Sequence, residues 1–149
     1  MTSRYFEDWT VGERFQTASL VVTRDEIVRF AREYDPQPFH LEDTAGDASV
    51  FGSLCASGWH TASLAMKLIV ESGVFSSVGL VGLGVEALRW LSPVRPGDEL
   101  SVACTVVAAR ATRRPESGVV TFANIVQARD RDVMTYEAAV LVARRPLEI

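Results

Sequence analysis

The sequence predicts an α+β fold in which an antiparallel sheet wraps around one long central helix. Two observations carry this: apolar residues in the first half recur at helical spacing, and beyond about residue 80 the period falls to two. A third is order. A helix, then a nearly all-apolar helix, then an unbroken run of strands is the pattern of a sheet closed over a buried helix.

The elements follow in chain order. Gly12-Glu13-Arg14-Phe15 through Val21-Val22 has turn-then-strand character. Thr23-Arg24-Asp25-Glu26 has the form of a capping box, with Thr23 and Glu26 each able to satisfy the other's backbone amide. Ile27, Phe30, Ala31 and Tyr34 then form one apolar helical face, and Pro36 and Pro38 end the helix. Asp35 through His40 is expected to be irregular and proline-stiffened, and residues 41–48 to be polar with a short helical turn. The second helix runs from Ser57-Gly58-Trp59 through Ser72, with Gly73 as a left-handed cap. It is apolar nearly all round, which predicts burial inside the fold, with a Lys67–Glu71 pair on its only exposed strip. Four strands are predicted at about Leu80–Leu91, Leu100–Arg110, Val119–Ala128 and Val133–Ala143. In the third, Val120, Phe122 and Val126 face one way, and Thr121, Ala123 and Ile125 the other. Ser92 through Asp98 is a turn between strands, and Asp130-Arg131-Asp132 a tight hairpin link.

With 149 residues, 48% of them hydrophobic, the chain fits one domain over 1–149 that buries a core without metal or disulfide staples. A net charge of −4 argues against nucleic acid as a main partner. Residues 1–75 hold 6 basic against 11 acidic side chains, and the remainder 9 against 8. Arg110, Arg113 and Arg114 cluster at a turn; they read as a solvated loop, or as a landing point for cofactor phosphates. Cys55 and Cys104 lack metal-ligand spacing and read as reduced, buried thiols of a cytoplasmic protein. The polar, acidic start is unlike a secretory signal, and every apolar stretch falls short of a membrane span.

Two constellations can carry chemistry. Asp35-Pro36-Gln37-Pro38-Phe39-His40 holds two ionisable groups on a loop that two prolines restrict. Adding water to a double bond needs one group to take a proton and another to deliver one, and an Asp and a His reaching one water can do both. Spacing alone fits equally an Asp closing a helix and a His ahead of a polar turn. Cys55-Ala56-Ser57-Gly58-Trp59 is the second. Glycine there admits a close ligand, and the first helix amides, lacking internal acceptors, can hold a carbonyl oxygen that gains negative charge. The alternative is that Ser57 caps the helix and Gly58 permits close packing. His60 reads as a packed histidine, and Cys55 as a weaker nucleophile candidate near a helix N-terminus. No Walker, Rossmann, nucleophile-elbow or zincin pattern occurs, and two histidines without a cysteine cluster leave no dedicated metal site.

Taken together these segments resemble the MaoC-like dehydratases and R-specific enoyl-CoA hydratases. Tyr34 through His40 is similar to that family's catalytic loop, of the form Asp, any residue, Asn, Pro, an apolar residue, His. Phe6-Glu7-Asp8 with Val11-Gly12-Glu13 resembles the family's opening. Phe51-Gly52 through Gly58 resembles its entry to the central helix, and Leu91 through Asp98 its post-helix strand and turn. The resemblance implies a hot-dog fold, an acyl-CoA thioester substrate, and hydratase or dehydratase activity without metal or any cofactor beyond the coenzyme A of the substrate. It implies a homodimer or a dimer of dimers, to which exposed edge strands would contribute. Asp35 and His40 would activate water and shuttle its protons, and the Gly58 amide would hold the thioester oxygen. Gln37, Pro38, Phe39, Ser57 and Trp59 would contact substrate. The chain departs from the pattern at Gln37 (usually Asn), Tyr34 (usually Gly) and Ser57 (usually His), which fits a subgroup with its own acyl preference. Two rival readings are a hot-dog thioesterase and a non-catalytic acyl-CoA-binding module. Against the first, thioesterases of this fold place a catalytic acid on the central helix, where the only acid here is Glu71 in the last turn.

Overall fold

The computed structural model describes residues 4–75 and 81–147. A single 3-10 turn (Phe6–Asp8) leads to two short strands, β1 (Arg14–Gln16) and β2 (Leu20–Val21), and then to helix α1 (Arg24–Tyr34). Two brief helices, α2 (Pro38–Leu41) and α3 (Asp43–Asp47), precede the long α4 (Gly58–Glu71). Four strands complete the chain: β3 (Val81–Trp90), β4 (Glu99–Ala111), β5 (Ser117–Gln127) and β6 (Asp132–Ala143). The strand bounds fall close to those expected; the expected start of the first at Leu80 lies outside the described residues.

All pairings are antiparallel, in the order β1-β4-β5-β6-β3, with β2 also on β4. The sheet packs its inner face on α4, which is the hot-dog arrangement. The alternation in β5 is as the period predicts: Val120, Phe122 and Val126 are buried, while Thr121, Ala123 and Ile125 are half-buried. Trp9, Phe15, Phe75 and Phe122 close one end of the core, with Trp9 edge-on to Phe122 at 5.0 Å. The capping box of α1 forms as expected. Thr23 Oγ1 accepts from the Glu26 amide and Glu26 Oε2 from the Thr23 amide, each at 3.3 Å.

Two expectations need correction. The segment after Asp35 is not irregular through to His40, because Pro38 opens a helical turn at the first position, where a missing N–H costs nothing. Nor is α4 buried all round. Thr61, Ala65, Leu68 and Ile69 face the sheet, but Trp59, Met66 and Val70 are exposed, because the sheet covers one side only. The Lys67–Glu71 pair, at 3.9 Å, therefore shares the exposed surface with apolar neighbours. Gly73 does cap the helix, at φ +73°.

The edge strand β3 is solvent-exposed along nearly its whole length. Its register with β6 shifts twice, between Gly82 and Gly84 and between Glu86 and Arg89. Ala87, inside the second shift, has φ +52°, a conformation that L-residues with a Cβ rarely adopt.

Gly46 of α3 seats the segment that enters α4. A Cβ there would collide with the backbone of Ser53 and Leu54, which cannot rotate away. Gly46→Ala should therefore lower stability by about 1–3 kcal/mol in urea denaturation, the usual cost of overpacking. Wild-type stability would show that this segment moves freely.

Candidate active site

Asp35 is the residue that closes α1, its amide donating to the Ala31 carbonyl at 2.9 Å. The backbone then turns: Gln37 N–H donates back to the Asp35 carbonyl (2.8 Å), and His40 N–H to that of Gln37 (3.0 Å). This short α2 turn brings His40 Nε2 to 3.3 Å from Asp35 Oδ2. His40 is buried, whereas the Asp35 side chain keeps 18% of its surface exposed, so one edge of the pair meets solvent.

The imidazole is fixed from behind. His40 Nδ1 lies 2.6 Å from the Cys55 carbonyl oxygen. A carbonyl only accepts, so Nδ1 carries a proton, and Nε2 faces Asp35 and the cleft, donating to the carboxylate when the ring is charged and offering a lone pair when it is neutral. The Cys55 amide in turn donates to the Phe39 carbonyl (3.3 Å), and the Phe39 ring packs edge-on against His40 at 4.5 Å.

Asp35 is held as a carboxylate. Burial alone would push its pKa up, but hydrogen bonding from Ser57 and Gln37 and the nearby imidazole outweigh this and hold it below the usual carboxylate value. Gln37 Nε2 donates to Oδ1 at 2.7 Å. Ser57, fully buried, accepts from the Trp59 amide (3.3 Å) and so keeps its own proton to donate. It serves as helix cap and as neighbour of the carboxylate together.

The pair opens on a cleft of about 380 Å³ whose lining includes Gln37, Phe39, Phe51, Gly58, Trp59 and Trp90. The Gly58 N–H, first of α4, has no intrahelical acceptor and lies at the positive end of the helix dipole. Of the residues singled out from sequence, Asp35, Gln37, Phe39, His40, Cys55, Gly58 and Trp59 line this cleft. Pro38 is exposed outside the lining, and Ser57 sits behind it.

Trp90 is the neighbour that sequence reasoning missed. Its indole Nε1–H donates to the Gly58 carbonyl at 2.9 Å, and its ring fills the space where a Cβ on residue 58 would stand, 2.5 Å from that position. It also meets Trp59 edge-on at 5.0 Å. Gly58 thus permits close packing, by an indole 32 residues away. A glycine opening an apolar helix signals a close approach, but not by what.

Neither Cys55 nor His60 is poised for catalysis. Cys55 Sγ is 3.8 Å from His40 Nδ1 rather than near His60, and burial pushes its thiol pKa up, against a nucleophilic role. His60 stacks flat on Phe30 (4.8 Å, 8°), and burial lowers its pKa, as befits a packed histidine. Trp90 pairs with Met134, which pairs with Val126, whereas the turn bearing Arg113 and Arg114 follows the Ala111–Gly118 pair. Eight residues of β5, about 26 Å, separate the two ends, so in this chain the arginines form a solvated turn remote from the cleft. Among the described residues no helix is long and apolar enough to cross a membrane.

Comparison with known proteins bears on this geometry. Residues 7–128 match the model of the MaoC like domain. The crystal structure of a MaoC-like dehydratase from Rhodospirillum rubrum, 44% identical, superposes with a TM-score of 0.92 over 97% of this chain and 100% of that one. YdeM of Bacillus subtilis, an uncharacterized protein, is 31% identical over 93% of this chain and 98% of its own. An (R)-specific enoyl-CoA hydratase of Rhodospirillum rubrum is 26% identical over 95% and 93% respectively.

Two outcomes follow. Gly58→Ala should destabilise by about 1–3 kcal/mol, since the methyl must displace the Trp90 ring. In a Trp90→Ala background the same change should cost nothing, because an unopposed Gly-to-Ala change favours a helix; equal costs in both backgrounds would break the coupling. Secondly, the folded pKa of Asp35 lies below its unfolded value of about 3.9, so its stabilisation is complete above that pH and is lost as pH falls through the folded value. Asp35→Asn should flatten the acid limb of the stability–pH curve, measured by urea unfolding below about pH 4; an unchanged limb would contradict it.

Proposed function

The chain belongs to the MaoC-like domain family, and on that premise we propose that it is a hydro-lyase acting on an acyl-CoA thioester, of the enoyl-CoA hydratase or 3-hydroxyacyl-CoA dehydratase type. One observation carries the reading: Asp35 Oδ2 and His40 Nε2 stand 3.3 Å apart and open on the same cleft as the Gly58 amide.

In the hydration direction, a water held between the carboxylate and Nε2 attacks the β-carbon. Nε2, whose partner nitrogen is committed to the Cys55 carbonyl, takes the water's proton while the oxygen forms the new C–O bond. The charged Asp35 orients the water and stabilises the imidazolium. The enolate oxygen that develops on the thioester is met by the Gly58 N–H, in a role that is worth roughly 3–4 kcal/mol elsewhere. The proton then passes from the pair to the α-carbon, so that one water is added in full. Gln37, Ser57 and Trp90 act by holding Asp35 and Gly58 in place, and Phe39 and Trp59 offer apolar surface to the acyl group. Coenzyme A enters as part of the substrate, and no further cofactor takes part.

A homodimer, or a dimer of such dimers, is the assembly we assign. The exposed apolar residues Val81, Leu83 and Val85 on the edge strand and Met66 and Val70 on α4 support it. A thioesterase is disfavoured by the position of Glu71, which is exposed and paired with Lys67, outside the cleft.

Crotonyl-CoA, or a longer or branched trans-2-enoyl-CoA, should lose its conjugated absorbance when the protein is added. Asp35→Ala and His40→Ala should each slow this by roughly 10²–10⁴-fold with circular dichroism unchanged. Wild-type rates in both variants would sink the assignment of roles. Release of free thiol undiminished by Asp35→Asn would mark a thioesterase instead. Tight acyl-CoA binding with no absorbance change across chain lengths would mark a binding module.

A further inference from the structure

Two helices deliver groups to the cleft: α1 ends on Asp35 and α4 begins at Gly58. They meet near those ends through two rings. Phe30, five residues before Asp35, lies flat on His60, two residues after Gly58, with ring centres 4.8 Å apart and planes within 8°. No other ring pair joins the two helices among the described residues. Tyr34, next to Asp35, rests in turn on Phe30 at 5.1 Å, so the stack reaches the end of α1.

His60 is an unexpected occupant of this seat. It is 6% exposed, and its Nδ1 is sealed from solvent with no hydrogen-bond partner. A neutral imidazole leaves at most one lone pair or one N–H unmet there. An imidazolium carries a proton on both nitrogens, so Nδ1 becomes a charged, buried donor facing no acceptor, which is far costlier. The surrounding charges do not offset this. Glu26, Arg29, Glu33 and Tyr34 of α1 and Lys67 of α4 line, with His60, a groove of about 260 Å³ between the helices. Two acids face two bases, and among the described residues none hydrogen-bonds the ring. Burial accordingly lowers the pKa of His60; Glu26 opposes the shift and Arg29 adds to it. The groove gives the ring a path to water.

We propose that His60 is a positioning residue with a built-in acid response. Neutral, its stack on Phe30 holds the end of α1 on the start of α4, and so sets Asp35 against the Gly58 amide. Protonated, the ring leaves Phe30 for the groove, and the last turn of α1 loosens. The effect on rate rests on the hydro-lyase reading; the seam between the helices does not. The folded pKa lies below the unfolded value of about 6.5, so a released ring takes the proton first. The seam is therefore at full strength above that pH and weakens as pH falls below it.

The test follows hydrogen exchange at the Asp35 amide, which donates to the Ala31 carbonyl, in the full chain at pH 7.5 and 5.5, corrected for intrinsic exchange. A released ring of ordinary pKa is favoured about tenfold more at the lower pH, so wild-type protection should fall about tenfold. His60→Phe keeps a ring on Phe30 without a proton site, and its protection should be the same at both pH values. Phe30→Ala empties a half-buried position and should leave protection low at both. In crotonyl-CoA hydration at pH 7.5, His60→Ala and Phe30→Ala should each lower kcat by up to about a hundredfold with KM little changed, and His60→Phe should restore it. Wild-type protection that does not change with pH, a pH dependence that persists in His60→Phe, or wild-type kcat in Phe30→Ala would each overturn the proposal. The expected exchange pattern in a protein that hydrates no enoyl-CoA would uphold the acid-responsive seam and overturn the hydro-lyase reading instead.

Discussion

The hydrogen bond from His40 Nδ1 to the Cys55 carbonyl is the constraint on which the rest of the site depends. It joins two segments that are fifteen residues apart, the turn after α1 and the approach to α4, and does so at 2.6 Å inside a buried region. Because Cys55 stands just ahead of Gly58, the anchor that orients the ring also sets how far it lies from the first amide of the long helix. It fixes the tautomer as well, and with it the direction in which the basic nitrogen points. The prolines matter through this bond. Pro38 starts the single turn that places the ring, and the neighbouring Phe39 carbonyl receives the Cys55 amide, so backbone and side chain reinforce one another.

The carboxylate is kept charged by a related device. Asp35 is partly withdrawn from water, which by itself would favour its neutral form, yet it sits beside the cap of α4 and receives Gln37 and Ser57. Gln37 stands where the resembled family usually has Asn, and its extra methylene does not prevent it from reaching Oδ1. On the far side of the cleft the helix start is clamped by Trp90, whose indole accounts for the glycine more fully than any ligand does. The arrangement is thus braced at both rims by side chains that do not themselves offer acid or base.

Much of this was legible in the residues. The capping box at Thr23, the change of period near residue 80 and the cap at Gly73 each follow from local rules, and the structure places them where those rules put them. Spacing alone leaves Asp35 and His40 evenly balanced between a helix end and a catalytic pair; the likeness of their loop to the family's catalytic loop singles them out, and they do converge. What stayed hidden was tertiary. Which residue would lie over Gly58 depends on how the end of β3 meets the start of α4, and no local pattern reports a contact across 32 residues. The exposure of Trp59, Met66 and Val70 was hidden for a similar reason, since composition shows that a helix is apolar but not how many of its sides the sheet reaches.

The broken register of β3 has a bearing on how the molecule behaves in company. A long, flat, apolar edge is a template onto which further chains add without limit, the route to fibrous aggregates. Here the ribbon is interrupted at Gly82–Gly84 and again at Glu86–Arg89, and Ala87 is twisted into a conformation that a regular ladder cannot continue. Only short stretches of backbone remain in step for a newcomer. The chain can therefore present Val81, Leu83 and Val85 to a partner while denying that partner the straight edge needed for endless stacking.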